Sequence, residues 1–524
     1  MVAIKKGLVD QHGNPLLSSQ DQALRNEIRS LRQQIIKAKY DSAQTFTGNE
    51  NHWAQADNLD PNSANSLTVR RKLRSRSRYE TIENNPYLKG VLLTLVGDTV
   101  KTGPTLKITD PRLSKTQKKT IERRWRNWFK AIKGRKKLWR LALAKRVDGE
   151  GFAFGYQDLR NRDRVKLNFF CVEADRVSSE TMFPEVKPKD NVNEVDGVRF
   201  DEYDVPLEYH LLNLHPGGSA LYNFFASKVG GDWIDSKFVV HWFRQDRGWL
   251  RGIPETTASL PLCAILRRYT LAVLRAAETA ADFSAVIESE GPPNMNAWTD
   301  GNGNPLVDDP FDVFPIEYGM ITSLPWGTTL KQMRAEQPGA MFDKFVDIIL
   351  REILRPLLVP FNVGSGTSSG SNMASAVVDE HLYQDGIKEE RTTAEEDVLD
   401  TMTELWWDEA KLLPGYLDEE LSPEKSMFVN NPSLREFIPE HEYRWPKVGL
   451  DHTDPLKVAK AIVEQRGDGI MTDRDIQETY FNRDVDDWAE EVQEGLEIRE
   501  RLGLPTGTQA APSVSSVPDE ESEE

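Results

Sequence analysis

Cysteine is nearly absent: Cys171 and Cys263 are the two in 524 residues, at no metal-ligand spacing and both in apolar surroundings. That excludes a disulfide framework and reads as buried, reduced thiols in a cytosolic protein. Histidine is sparse, with eight scattered residues and no pair at metal spacing. No stretch reaches the ~18 consecutive apolar residues of a membrane span, and the opening MVAIKKGLVDQHGNPL has two lysines but no apolar core of signal-peptide length. The expectation is a soluble protein made in the cytoplasm, with no membrane partner. Signatures of chemistry are missing as well. No Gly-rich loop ends in Gly-Lys-Ser/Thr, and the Gly/Ser run at 364–371 lacks the lysine that would engage phosphate, which disfavours a motor ATPase. There is no HExxH, no paired CxxC and no Gly-x-Ser-x-Gly elbow.

What is present starts with a charge asymmetry. The net charge of −17 divides into 31 Lys and Arg against 14 Asp and Glu over residues 1–150, and 35 against 69 over the remainder. A basic first third suits nucleic acid or an acidic protein surface, or it coats helices whose apolar faces are buried. The acidic remainder would repel a DNA backbone. An apolar fraction of 39% and 13 tryptophans are enough for real cores, and the length suits about three domains.

Along the chain, residues 1–66 read as an arm with one helix, Ser19 to Lys39, and an Asn-rich connection. Two helices follow to Val100, split at Asn84-Asn85-Pro86. The Arg/Ser run at 70–78 reads as a solvated or intersubunit helix face. Residues 114–146 read as one basic helix in which Trp125, Trp128 and Trp139 lie on or near one stripe; aromatics interleaved with lysines can mark single-strand binding, but Phe129, Ile132, Leu138 and Leu141 share the pattern and favour core packing. From Gly149 to Phe243 short strands alternate with Gly, Pro and Asp clusters, the pattern of a small mixed or antiparallel sheet.

A long helix is predicted from Pro254 to about Glu288, then a Pro/Gly-punctuated β-rich insertion, then an amphipathic helix from Met341 to Leu358 ended by Pro356 and Pro360. The uncharged stretch Phe361 to Met373 reads as a mobile loop before another long helix, Ala374 to Leu412. A β-capable segment at 425–448 and a compact helical unit come next, and a tail from Thr506 ends in PDEESEE, which is expected to be disordered.

His241 ends an apolar strand and reads as a satisfied core or turn histidine. Acidic groups at Asp308-Asp309, Glu395-Glu396-Asp397 and Asp484-Asp486-Asp487 suit either solvated faces or the cations of a nuclease. No catalytic constellation, metal site or cofactor site emerges. A structural or conduit role is expected, with a metal-dependent DNA-processing enzyme as the alternative.

The elements resemble, in order, those of tailed-bacteriophage portal proteins of the lambda type. The residues concerned are the Arg-rich helix and Asn84-Asn85-Pro86-Tyr87 turn; Trp125 and Trp128; Asp148-Gly149-Glu150-Gly151-Phe152; Ala174-Asp175-Arg176-Val177; Val240-His241-Trp242-Phe243-Arg244; Arg251-Gly252-Ile253-Pro254; and Val359-Pro360 with Asn372-Met373-Ala374-Ser375. Departures are Gly248-Trp249, where the family has Pro-Gly-Gln, and Met373 and Val377, where it has an aromatic residue and an arginine.

The resemblance implies an α+β portal fold assembled as a dodecameric ring. Its regions would be an arm (1–66), an α/β wing in two parts (67–253 and 374–449), a stem of two long helices (254–289 and 340–360), a small β-rich clip (290–339), a tunnel loop (361–373), an α-helical crown (450–505) and an acidic tail (506–524). The loop would face DNA with Asn362, Ser365, Thr367, Ser368, Ser369, Ser371, Asn372 and Met373. Lys344 and Arg351, seven residues apart on the second stem helix, suit either positive rings lining the channel or pairs with acidic residues of a neighbouring subunit. Asp308, Asp309, Phe311, Phe314 and Tyr318 of the clip would dock the terminase and later an adaptor. The implied partners are other copies of the chain, double-stranded viral DNA, the large terminase subunit, a head-tail adaptor, and the major capsid and scaffolding proteins. The implied location is a capsid vertex of the virion, with assembly in the host cytoplasm. Another ring-forming head-tail connector is the remaining alternative, although adaptors are usually much smaller.

Overall fold

An asparagine-proline break organises the first helices. Helix α1 (Leu67–Arg78) runs into a π-turn, Tyr79–Asn84, and α2 (Pro86–Val100) starts afresh. The Asn85 side chain accepts from the Tyr87 and Leu88 amides at 3.1 and 3.3 Å, while Pro86 occupies a position whose N–H would have had no partner. This is a computed structural model. It describes residues 54, 56, 58–179, 193–218, 230–282, 286–289, 328–331, 341–367, 373–417, 438–446, 455–473, 476–477 and 485–503. Pro61–Glu524 forms one unit and Met1–Asp60 another. The expected arm helix, most of the clip and the tail lie outside the described residues.

Strand β1 (Thr105–Ile108) precedes α3 (Lys115–Ala131), which opens on a reciprocal Ser114–Gln117 capping box, and α4 (Gly134–Asp148); the single helix read over 114–146 is thus two, broken where Lys133 turns left-handed at φ 57°. The aromatic stripe is core. Trp125 and Trp128 are buried, Trp125 stacks on Phe129 at 4.7 Å, and their indole N–H groups donate to Thr403 Oγ1 and the Leu167 carbonyl, both at 3.0 Å. Trp139 is partly buried against the same cluster.

The strand region makes two sheets. In one, β2 (Glu150–Gln157) lies between β3 (Leu167–Val172) and β8 (Val239–Phe243), antiparallel to both. The other is a meander of β4 (Asn193–Val195), β5 (Val198–Phe200), β6 (Pro206–Leu212) and β7 (Gly231–Asp235). His241 is the satisfied core histidine expected. It stacks between Phe152 and Phe243 and shares hydrogen bonds with Tyr209 and Glu150.

The helix predicted from Pro254 to Glu288 is shorter at both ends. Helix α5 spans Leu260–Asp282, and Val286–Ser289 is a strand, β9, antiparallel to β10 (Thr328–Lys331). At the front, Pro254–Ser259 forms turns, with Thr257 N–H bonded to the Pro254 carbonyl at 3.0 Å, because the buried Glu255 and Thr256 side chains are committed to other elements.

Helix α6 (Phe342–Leu354), the short α7 (Phe361–Ser365), α8 (Met373–Ala394) and α9 (Asp400–Ala410) follow, the last two joined by a π-turn, Glu395–Leu399. The expected β-capable segment supplies β11 (His441–Arg444), which pairs with β1 across more than 300 residues of chain. Helices α10 (Pro455–Gly467) and α11 (Val485–Arg501) complete the described chain. The fold is mixed helix and strand, with one apolar cluster behind the tryptophans, a second joining α2, α5, α6 and α8, and a third between the two sheets.

Candidate nucleic-acid interface

Helix α6 buries Leu350, Ile353 and Leu354 against Leu88, Leu92 and Cys263, while Phe345 and Ile348 are exposed along with Lys344 and Arg351. Pro356 then sits in a 3-10 turn, Arg355–Leu357, and Leu358 takes a left-handed conformation, φ 56°, that turns the chain. Arg351 does not extend freely, because its guanidinium lies 4.3 Å over the Phe361 ring.

The loop predicted at 361–373 is corrected at both ends. Phe361–Ser365 is a helical turn and Met373 begins α8. Packing and hydrogen bonding make a helix of a Gly/Ser-rich segment: Phe361 and Val363 pack on the second cluster, Ser365 Oγ donates to the Phe361 carbonyl at 2.6 Å, and Gly364 faces Leu354 where a Cβ would lie 2.4 Å from Leu354 Cδ1. Gly366, φ 70°, ends the turn. Asn362 and Ser365 therefore sit on helix and only Thr367 follows it. Ser368, Ser369, Ser371 and Asn372 lie outside the described residues, as do all five clip residues, Asp308, Asp309, Phe311, Phe314 and Tyr318.

Beneath these elements lies an ionic network that the sequence reading missed. The Arg/Ser run, expected as a solvated or intersubunit face, turns inward: Arg70 and Arg74 are 2% and 1% exposed. Spaced by four, Arg70, Arg74 and Arg78 leave one side of α1 to meet Asp196, Glu150, Asp175 and Asp148. Arg251 completes the set, donating to both Glu150 oxygens at 2.6 and 2.8 Å and to the Val177 carbonyl at 3.0 Å. Four arginines thus face four acidic side chains. Burial opposes ionisation of Glu150, Asp175 and Asp196, yet the facing arginines, Arg251 foremost at Glu150 and Asp196 and Arg74 foremost at Asp175, hold all three carboxyls below the usual range, whereas at Asp148 burial prevails and pushes the carboxyl up. No spacing rule reveals this, since the carboxylates lie 70 to 126 residues beyond the α1 arginines.

The network is coupled to α6 through Pro254–Ser259. Glu255 accepts from Lys145 at 2.8 Å and Arg146 at 3.0 Å, and Ser259 Oγ donates to the Ile353 carbonyl at 2.8 Å. A small cleft of about 40 Å³ lies here between Arg146, Glu255, Leu357, Tyr383 and Glu390.

The acidic triplet at 395–397 does not converge. Glu395 accepts from Trp445 Nε1, Glu396 is exposed, and Asp397 points inward, where burial and the neighbouring Glu396 push its carboxyl up to about 6. Among the described residues no group of three or more His, Cys, Asp or Glu is placed to hold a metal ion. Raised above its ordinary value of 3.8, Asp397 stabilises the fold while protonated and loses that contribution as pH rises through about 6. Asp397→Asn is therefore expected to raise stability at pH 7.5 by on the order of 1 kcal/mol after solvent screening, and to change little at pH 4. Thermal melts of both proteins across this window test it, and an equal shift at both ends would overturn the assignment.

The order of these elements has a counterpart among known proteins. The sequence model of the phage portal protein lambda family matches residues 15–387. The chain belongs to the lambda family of phage portal proteins. The matched region holds every motif named above, including the Arg-rich helix, the Asp148–Phe152 segment and Val359-Pro360. A probable portal protein of Halomonas phage phiHAP-1 is 26% identical over 347 residues, 63% of this chain and 60% of that protein's length. The alignment thus spans less than two thirds of this portal relative. Among solved structures, a chain from the virion of a native gene transfer agent particle covers 82% of this chain at 14% identity and a TM-score of 0.37, with 93% of its own length covered. A chain from the neck of an empty particle, computed with C6 symmetry, covers 83% at 15% identity and 0.38, with 94% of its own length covered. Scores this low transfer nothing further to the portal chain.

Proposed function

We propose that this chain assembles into a ring at one capsid vertex, through which double-stranded DNA is packaged and later released. The observation that carries the reading, together with family membership, is apolar surface that a solitary chain leaves in water. Ile265 and Leu274 on α5, Ile348 on α6, and Val378 and Leu382 on α8 are all exposed around the second cluster. Val378 and Leu382 stand four residues apart on α8, and Leu271 and Leu274 three apart on α5; neighbouring exposed apolar side chains of this kind mark an interaction face, which a closed ring of identical subunits would cover.

In this reading α5 and α6 form the stem, the segment between β9 and β10 forms the clip, and the chain from Phe361 to Met373 constricts the channel. Terminase and then an adaptor dock on the clip, capsid and scaffolding proteins surround the wing, and the protein resides in the virion. A mainly acidic and uncharged wall passes a polyanion without the counterion release that makes basic grooves grip. Small hydroxyl and amide groups at the constriction offer hydrogen bonds to phosphate without fixed charge. Lys344 and Arg351, about 10 Å apart along α6, add at most two cationic rings. The role assigns no catalytic residue.

Negative-stain microscopy of the purified chain is the test, with a symmetric ring expected. A monomer that cuts DNA in Mg²⁺ would overturn the reading in favour of a nuclease. Within the ring, Ser368→Trp with Ser369→Trp is expected to reduce packaged or retained DNA severalfold, and particles with full genome content would refute the constriction.

A further inference from the structure

Helices α3 and α4 meet at a corner that is basic without relief. Residues 123–140 hold nine Lys and Arg and no Asp or Glu, in a chain whose net charge is −17. Arg126 and Lys130 on α3, Lys136 and Arg140 on α4, and Lys133 at the corner between them are all exposed and form no ion pair with any described acidic residue. The buried cations of the fold, by contrast, are closely paired, as the Arg74 and Arg251 network shows.

Lys133 is telling. It holds φ 57°, a left-handed conformation that glycine adopts far more readily, so the corner keeps a cation where backbone chemistry favours none. Its neighbour Lys137 is half-buried, and burial, with the charges of Arg140 and Lys133, pushes that ammonium down to about 8. The cluster is thus a standing electrostatic cost to the free protein.

We infer that the α3–α4 corner is a second binding surface for duplex DNA, engaging the phosphate backbone without reading sequence. Two features favour DNA over an acidic protein. No large apolar side chain is exposed between Leu93 and Leu159, whereas protein interfaces are anchored by buried aromatic and aliphatic groups. The spacing also suits phosphates: cations four residues apart on one helix are separated by about 6 Å, close to two phosphate steps of about 3.4 Å along one strand. The inference extends the portal reading, since duplex DNA is the ligand in both, but it places DNA on elements distinct from α6 and α7.

The test compares the full chain with Arg126→Gln/Lys130→Gln/Lys136→Gln/Arg140→Gln, measuring polarisation of a labelled 20-base-pair duplex over a range of KCl. Each phosphate no longer neutralised lowers the log–log salt slope by about 0.9, so for four cations a slope smaller by up to about 3.6 and affinity at 0.1 M salt weaker by about tenfold or more are expected. Lys133→Gly is the control for folding: it should weaken duplex binding while leaving the melting temperature unchanged or higher, whereas a melting temperature that falls would mark Lys133 as structural and count against the inference. Quadruple-variant rings that bind duplex with the wild-type slope would overturn the inference and leave the channel reading intact. Capture of polyglutamate, but not duplex, by the wild-type corner would overturn it in favour of an acidic protein partner. Ring formation in the same samples reports on the channel reading separately.

Discussion

Glu150→Ala is expected to destabilise the fold by about 3–5 kcal/mol, the usual cost of removing one partner from a buried ion pair. Glu150 is fully buried; one oxygen accepts from Arg74 and Arg251, and the other accepts from Arg251 Nε at 2.8 Å and the Gly252 amide at 3.1 Å and meets His241 Nε2 at 3.2 Å. Truncation leaves two guanidinium groups in a dry interior and strips an acceptor from the amide that sets the path into Pro254–Ser259. Against a total stability of about 5–15 kcal/mol, the variant should accumulate as insoluble chain or unfold at much lower denaturant. Glu150→Met with Arg251→Met should cost less than the sum of the single changes, because no lone charge of the pair remains. A single variant within about 1 kcal/mol of wild type would show that water relaxes the site.

The same network predicts acid sensitivity. Glu255 is buried, and Lys145 with Arg146 overcomes that burial to hold its carboxyl down at about 2. A depressed carboxyl contributes stability above its ordinary pKa of 4.5 and loses it as pH falls toward about 2. Melting temperature should therefore drop steeply over that interval.

Gly149→Ala is expected to cost about 3 kcal/mol or more, by the combined penalties of left-handed strain and backbone displacement. Gly149 ends α4 at φ 92°, and a Cβ there would lie 2.1 Å from the Ile253 carbonyl carbon. The approach is mutual, since a Cβ on Gly252 would lie 2.2 Å from the Gly149 carbonyl oxygen. The obstruction is backbone on backbone, so no rotamer change relieves it. Gly90, inside α2 with nothing within 4 Å of its would-be Cβ, is the contrast: Gly90→Ala should be neutral or stabilising by up to about 1 kcal/mol. Thermal unfolding of both variants tests the pair, and equal effects would remove the special status of Gly149.

Local chemistry was readable wherever a residue acts on its near neighbours. Asn85-Pro86 started a helix, and Trp125 and Trp128 lay on the core face as their spacing with Phe129 required. Readings failed where a distant segment decided. Phe361–Ser365 became helix because Leu354 and the second apolar cluster accept it, and Val286–Ser289 became strand because Thr328–Lys331 pairs with it. The arginines of α1 failed for the same reason, since a run of Arg and Ser has equal use for water or for buried carboxylates until the fold presents the latter.

The amino-acid order alone determined the helices and strands with strong periodicity or punctuation, the placement of the tryptophans in a core, and the sequence of motifs that marks a lambda-family portal. Periodicity, capping and motif order depend on neighbours along the chain. Only the tertiary structure decided that Arg70, Arg74 and Arg251 are interior, that Gly149 and Gly252 touch backbone to backbone, and that the cations of the α3–α4 corner stand without acidic partners among the described residues. Burial and charge pairing are properties of positions in space, brought together from segments far apart in the chain.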